Sequence, residues 1–223
     1  ASLGAAVQAT LVSNVTAFNY EGFWVDSSGT IEGNLCFSNS SEGLRMSGTF
    51  TMSGNTVWRN SVGIHGWANV RAVNNLCYSN LYEGIYLNAG AGTNRVEFNR
   101  VFGNGRTGVY LEGSGYARRN VVYSNGDHGI QIEGYEGDYR EVVNNLCYLN
   151  GNAPGEFNII AGANYWQGKR GLIENNTVYG GSGIYIGNPI AFTNRNNILW
   201  ATGSNAVALV RFTHMDRYAW GYM

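Results

Sequence analysis

A short pattern of polar and apolar residues returns along the chain about every 21 residues. Each full copy opens on an asparagine, continues with strand-forming residues and places a second asparagine five positions later, as in Asn75-Leu76-Cys77-Tyr78-Ser79-Asn80. The opening asparagines are Asn14, Asn34, Asn55, Asn75, Asn99, Asn120, Asn145, Asn176 and Asn197. In most copies a glycine followed by alternating apolar residues comes next, as in Gly84-Ile85-Tyr86-Leu87. Three short strands per period, bounded by Gly or Asn, predict one coil of a parallel β-helix.

We therefore predict an all-β fold, a single-stranded parallel β-helix of about nine coils of roughly 21 residues. Residues 1–223 would form one domain, in which the repeats cover about residues 11–210 and residues 211–223 form a C-terminal tail or cap. Helical solenoids need a longer period and apolar residues spaced for a 3.6-residue turn, and the sequence shows neither. The repeat by itself does not fix the hand of the coil.

The columns of the repeat separate inside from outside. Two positions after each opening asparagine stand small or apolar residues, among them Cys36, Cys77 and Cys147, and this column should face the core. These cysteines lie at least two coils apart, too far for a disulfide, so we expect buried free thiols. The second asparagines should stack as an amide ladder.

A column of aromatic residues stands three positions after the opening asparagines and should face outward. Its members are Phe37, Trp58, Tyr78, Phe102, Tyr123, Tyr148, Tyr179 and Trp200. Such a column could stack on sugar rings, cover itself with a second copy of the chain or another domain, or simply stabilise the coil. The sequence leaves these three interpretations open.

Composition narrows the choice of partner. Lys and Arg number 14 against 15 Asp and Glu, which excludes a protein that holds nucleic acid by its net charge. The apolar runs are too short for a membrane span. The 32 glycines and 29 asparagines suit a fold with many sharp, regularly placed turns, because both residues enter left-handed backbone conformations cheaply.

The repeat resembles the parallel β-helix of the pectate-lyase-like superfamily, which includes pectate and alginate lyases, polygalacturonases, mannuronan epimerases and phage tailspikes. The resemblance covers nearly the whole chain. It implies a right-handed coil and a groove that binds acidic polysaccharide. It does not imply one activity, because a single fold hosts many functions.

The richest chemistry lies on the outer face of the strands that follow the glycines. Glu112 and Glu133 occupy the same position in adjacent coils, about 4.8 Å apart. Two such carboxylates would hold a proton, splay apart or bind a cation, and calcium is the cofactor we consider; no other is expected. Three longer connections, at 88–94, 133–140 and 161–171, would wall a groove above them.

Two functions remain open. The first is a lyase, epimerase or hydrolase acting on acidic glycans, with the groove supplying its side chains. The candidate catalytic residues are Glu112, His128, Glu133, Arg140 and Lys169, and the candidate substrate-binding residues are Tyr86, Tyr110, Gln131, Trp166 and Arg170.

The second is a non-catalytic glycan-binding or structural module of a larger secreted or surface protein. The Gly-His-Gly element of polygalacturonases and the Asp-Pro-His-Glu run of mannuronan epimerases do not occur in the sequence. We expect a location outside the cell or at its surface under either interpretation.

Overall fold

The strands of the chain follow one another in triplets. The computed structural model describes residues 8–90, 92–134, 139–151, 153–162, 170–187, 191–202 and 207–210. Within them 27 β-strands form, and no helix. Each strand pairs in parallel with the strand three places later, for example β7 with β10, so three nine-stranded sheets run side by side. The result is a three-sided β-solenoid, as the repeat predicts.

The three sheets have the following strands. Sheet 1 contains β1 (Gln8–Val12), β4 (Ser28–Glu32), β7 (Phe50–Ser53), β10 (Val70–Val73), β13 (Asn94–Glu97), β16 (Gly115–Arg118), β19 (Tyr139–Val143), β22 (Arg170–Glu174) and β25 (Ala191–Arg195). Sheet 2 contains β2 (Val15–Ala17), β5 (Leu35–Phe37), β8 (Thr56–Trp58), β11 (Leu76–Tyr78), β14 (Arg100–Phe102), β17 (Val121–Tyr123), β20 (Leu146–Tyr148), β23 (Thr177–Tyr179) and β26 (Ile198–Trp200). Sheet 3 contains β3 (Phe23–Asp26), β6 (Leu44–Ser47), β9 (Ile64–Trp67), β12 (Ile85–Asn88), β15 (Val109–Glu112), β18 (Ile130–Glu133), β21 (Ile159–Ala161), β24 (Ile184–Gly187) and β27 (Val207–Val210).

About nine coils were expected, and the described strands form nine rungs joined by eight coil-to-coil steps. The predicted tail or cap at 211–223 lies outside the described residues.

Left-handed residues make the two sharp corners that flank sheet 2. The residue before each opening asparagine has a positive φ, as at Gly33 (62°) and Asn74 (54°). The residue before the second asparagine does the same, as at Ser79 (54°). Gly and Asn adopt this conformation at low cost, and together with Ser they hold most of these corners. The corners with large residues in the same conformation are at Phe18, Arg59, Phe98, Arg119 and Leu149.

The asparagine after each corner bonds to the next coil. The side-chain oxygen of Asn75 accepts from both the backbone N–H of Asn55 (3.0 Å) and its side-chain amide (2.9 Å). The predicted ladder of second asparagines is confirmed, since Asn80 accepts in the same way from Asn60 (3.1 and 3.3 Å). The opening asparagines form a second ladder of the same kind, which was not predicted.

The core is a filled apolar column between the three sheets. Val, Ile, Leu and Met from alternating positions fill it, together with Cys36, Cys77 and Cys147, which are fully buried and free, as predicted. Burial raises the pKa of Cys36 to about 12 and that of the other two thiols further. The three cysteines therefore act as small hydrophobic residues.

Candidate functional site

The outer face of sheet 3 presents a single in-register row of large polar and aromatic side chains. Because side chains alternate along a strand, residues between the buried Ile and Leu positions must point outward. The row reads Trp24, Arg45, His65, Tyr86, Tyr110, Gln131 and Tyr185, with the buried Ile160 between the last two. Three predicted binding residues, Tyr86, Tyr110 and Gln131, are therefore neighbours.

The aromatic members of this row are stacked on one another along the axis of the solenoid. The rings of Tyr86 and Tyr110 lie 4.9 Å apart between centroids, and His65 stacks on Tyr86 at 4.7 Å. Further along, the guanidinium of Arg45 lies over Trp24 (4.9 Å) and Trp67 (5.2 Å). Neighbouring rings therefore occupy both faces of Tyr86, and a sugar can reach only its edge and hydroxyl.

The carboxylates of Glu112 and Glu133 form the next row, opposite each other in adjacent strands as predicted. Glu112 accepts from the hydroxyl of Tyr86 (2.8 Å) and the amide of Asn88 (3.0 Å). Glu133 accepts from Tyr110 (3.1 Å) and Gln131 (2.7 Å). Each carboxylate is thus tied to the tyrosine of the preceding coil.

The two tyrosines are held in the protonated form. Burial, followed by the hydrogen bond to Glu112, raises the pKa of Tyr86 to about 12. Burial and the charges of Glu133 and Glu112 raise the pKa of Tyr110 still further. Both hydroxyls are consequently proton donors at neutral pH, aimed at carboxylates that accept.

The two carboxylates differ in access to solvent. Glu112 is half-buried, so part of its carboxylate can meet a ligand. Glu133 was expected to face solvent, but only 6% of it is exposed. The reason is its place beside Tyr110 and Gln131, whose side chains bond to it. Glu112 is the accessible member of the pair.

Arg140 does not line the groove, contrary to the prediction. It lies within β19 rather than in a connection, and its side chain is 1% exposed. Glycines occupy the same register position in the coils before and after, at Gly115 and Gly171. The long insertion before β19 hid the strand in the sequence.

Other predicted residues are scattered. His128 lies in the turn before β18, where its Nδ1 accepts from the backbone N–H of Phe157 (3.0 Å). Burial lowers its pKa, against the opposing charges of Asp127, Glu156 and Glu133. Arg170 begins β22 and is exposed on sheet 1, away from the outer face of sheet 3. Trp166 and Lys169 lie outside the described residues.

Sequence reasoning missed a second cluster on the same face. Glu42 accepts from Nδ1 of His65 (3.1 Å), and Glu21 pairs with Arg45 (2.8 Å). Both glutamates directly precede the glycine that opens their strand, at Gly22 and Gly43. That repeated Glu-Gly step was the available signal. Burial lowers the pKa of His65, although the bond to Glu42 opposes the shift.

A calcium site lacks support among the described side chains, since no three carboxylate, histidine or cysteine groups converge there. Asn88, which stands opposite Glu112 in the same row, already uses its side-chain oxygen to accept from the backbone N–H of Gly90 (2.9 Å). The described face therefore offers hydroxyls, amides and carboxylates for hydrogen bonding rather than a coordination shell.

Six of the eight rings in the predicted aromatic column of sheet 2, from Phe37 to Tyr148, form a continuous stack, and the last two, Tyr179 and Trp200, meet edge to face. Phe37, Trp58 and Tyr78 follow at 4.4 and 5.8 Å between ring centroids, nearly parallel. The next rings, to Tyr148, continue at 4.7–5.1 Å. Ring faces are used in stacking here too, so the column presents edges to its surroundings, which disfavours stacking on sugar rings.

The family described as "Right handed beta helix region" matches residues 4–146, more than half of the chain. The chain belongs to that right-handed β-helix family. A search of curated protein sequences finds no match.

Solved structures share the fold of this right-handed β-helix. One is the A-module of the Azotobacter vinelandii mannuronan C-5 epimerase AlgE4, with 16% identity, a TM-score of 0.65, and coverage of 88% of this chain and 62% of that one. Another is a mutant of the periplasmic alginate epimerase AlgG, with 16% identity, a TM-score of 0.54, and coverage of 89% and 51%. The chain thus spans about half to three fifths of these structures. Among its described residues, no helix is long and apolar enough to cross a membrane.

Proposed function

We propose that this right-handed β-helix binds a polysaccharide across the outer face of sheet 3. The observation that carries the proposal is the pair of tyrosine–carboxylate contacts, Tyr86 with Glu112 and Tyr110 with Glu133. Sugar hydroxyls both donate and accept, so a row of alternating donors and acceptors suits them. Two proteins of similar fold are named as epimerases of mannuronan and of alginate, which supports a glycan as the ligand.

Hydrogen bonding, rather than ring stacking, supplies the contacts in this proposal. The faces of Tyr86 are covered by His65 and Tyr110. What remains accessible is the edge of the row and the half-buried carboxylate of Glu112. A location outside the cytoplasm belongs to the same proposal, since one protein of similar fold is named as periplasmic.

Catalysis is the second candidate function, and the Tyr86–Glu112 contact is what favours it. An epimerase or lyase needs one group that removes a proton and one that supplies or stabilises it. The carboxylate of Glu112 can remove a proton, and the protonated hydroxyl of Tyr86 can supply one. A hydrolase would use Glu112 as an acid or base instead. Without turnover, the protein is a glycan-binding or structural module of a larger secreted or surface protein.

The test is binding of oligosaccharides to three variants. Glu112→Gln and Tyr86→Phe remove one partner of the contact each, and Trp58→Ala alters the stack on sheet 2 as a matched control. We expect the first two to weaken binding about tenfold and the third to leave it unchanged. Loss of binding in Trp58→Ala alone would assign the ligand to sheet 2.

Product analysis separates the catalytic candidates. Unsaturated ends report a lyase, new reducing ends report a hydrolase, and inverted configuration without cleavage reports an epimerase. Each activity should fall in Glu112→Gln and persist in Trp58→Ala. Binding of a glycan without any of these products, across uronate and neutral polymers, assigns the non-catalytic module.

A further inference from the structure

A cavity of about 440 Å³ lies on the outer face of sheet 1, on the far side of the turn from the candidate site. Its floor is the in-register row Thr51, Arg71 and Arg95. Thr93 and Asn69 form its rim, and Asn69 accepts the backbone N–H of Thr93 (2.9 Å). None of the residues that line the cavity carries a carboxylate.

The two arginines make this cavity electrostatically unusual. They face each other across neighbouring strands about 4.8 Å apart, and like charges in that position repel. Arg71 donates its Nε to Glu97 (3.2 Å), outside the lining, and keeps its other N–H groups. Arg95 makes no ion pair with any residue the structure describes and rests only near the ring of Tyr116 (5.9 Å).

We propose that Arg71 and Arg95 form a binding site for an oxyanion, and that its natural occupant is a carboxylate of the bound glycan. Two guanidinium groups can both donate to one carboxylate, which removes the repulsion between them. The hydroxyls of Thr51 and Thr93 border the site and supply further donors.

The cavity also connects to the candidate site. A second cavity of about 440 Å³ lies between them, lined by Trp67 and Asn88, and the two share Asn69. Asn88 in turn donates to Glu112 (3.0 Å). A saccharide chain on sheet 3 could therefore cross the turn with its hydroxyls at Tyr86 and Glu112 and an acidic group at Arg95. This assignment to a uronate-containing glycan rests on the function proposed above.

Calorimetric titration with matched probes tests the site. A β-1,4-linked mannuronate tetramer and mannotetraose differ only in the carboxylates, and sodium sulfate is a free oxyanion. Arg95→Gln removes the exposed guanidinium, and Arg59→Gln makes the same charge change at an exposed position after sheet 2. We expect Arg95→Gln to weaken binding of the mannuronate tetramer about tenfold, with mannotetraose unaffected and Arg59→Gln without effect on either.

Sulfate should compete with the mannuronate tetramer in the wild-type protein. Equal affinity of wild type and Arg95→Gln for that tetramer, or an equal loss for both saccharides, overturns the site. If the wild type binds neither saccharide, the glycan function fails separately, and sulfate alone decides. If the wild type then binds sulfate and Arg95→Gln does not, the oxyanion site stands, with a free anion as its ligand. If the wild type does not bind sulfate, or if both proteins bind it equally, the oxyanion site is overturned.

Discussion

Sheets 2 and 3 both carry stacked aromatic rings on their outer faces, but the rings have different neighbours on the two faces. On sheet 2 six rings stack in sequence from Phe37 to Tyr148, and apolar neighbours such as Val15 and Leu35 accompany them. On sheet 3 the stack is short, and the next row holds Glu112 and Glu133. Stacking follows from repetition of the coil, whereas the carboxylates on which the proposed function rests stand two positions along the strand from the rings.

The largest effect should come from the asparagine ladder between the two faces. Asn80→Ala should lower the free energy of unfolding by about 2 kcal/mol, because it leaves the backbone and side-chain donors of Asn60 without their acceptor. Urea denaturation measures it. Asn14→Ala is the control, since Asn14 is exposed on the first rung and should cost less than about 0.5 kcal/mol. Equal costs would show that the inner rungs are no more important than the outer one.

Removal of a ring from the middle of the sheet 2 stack should rank next. Trp58→Ala loses contacts with Phe37 and Tyr78 and should cost about 1.5 kcal/mol. Trp24→Ala, on sheet 3, removes a residue that is 63% exposed and should cost about 0.5 kcal/mol. A larger loss in Trp24→Ala than in Trp58→Ala would reverse the contrast between the faces.

Removal of one tyrosine hydroxyl from each face compares sheet 3 with sheet 2 more finely. Tyr110→Phe removes a donor from the buried carboxylate of Glu133 and should cost about 1 kcal/mol. Tyr123→Phe, in the sheet 2 stack, removes only an exposed contact with Arg100 and should change stability by less than about 0.5 kcal/mol. Thermal unfolding of the two variants side by side gives the difference. Similar values would mean that the hydroxyls on both faces are equally solvated.

The smallest effect concerns pH and belongs to sheet 3 alone. Burial lowers the pKa of His65 below its ordinary value of 6.5, so the unfolded chain binds the proton more readily. The contribution of neutral His65 to the free energy of unfolding is therefore complete above pH 6.5, and it is lost as the pH falls below that value. His65→Phe keeps a ring in the stack and should show a shallower loss of stability between pH 7 and 5. An unchanged slope would assign the loss to other groups, such as His128.

The fold was predictable because every coil repeats the same order of inward apolar and outward polar positions. Nine copies of one column, with Cys36 and Val57 at the same position, leave little freedom in register. The prediction of the site was less complete. Arg140 stands two residues before Val142, which is buried in the core, so the alternation along β19 turns both side chains inward.

Two other features of the site depend on information that periodicity does not carry. The burial of Glu133 follows from which neighbours bend over it, and the cover of the ring faces follows from side-chain rotamers. A position in the repeat predicts whether a side chain points inward or outward, but it does not predict which side chains contact it. Arg71 and Arg95 occupy equivalent positions in two successive repeats, so their pairing on sheet 1 could be predicted from the sequence. The cavity beside them could not, because it depends on the shape of the intervening turn.

The asparagines of successive coils bond to one another whatever the number of residues between them. Asn55 bonds to Asn75, 20 residues on, while Asn145 bonds to Asn176, 31 residues on. Asn150 donates to Asn158, which is only eight residues later and lies in the connection to β21 of the same coil. Asparagines 20 to 31 residues apart thus make the same contact between successive rungs. A protein built in this way can change its loops, and with them its ligands, while its scaffold stays the same.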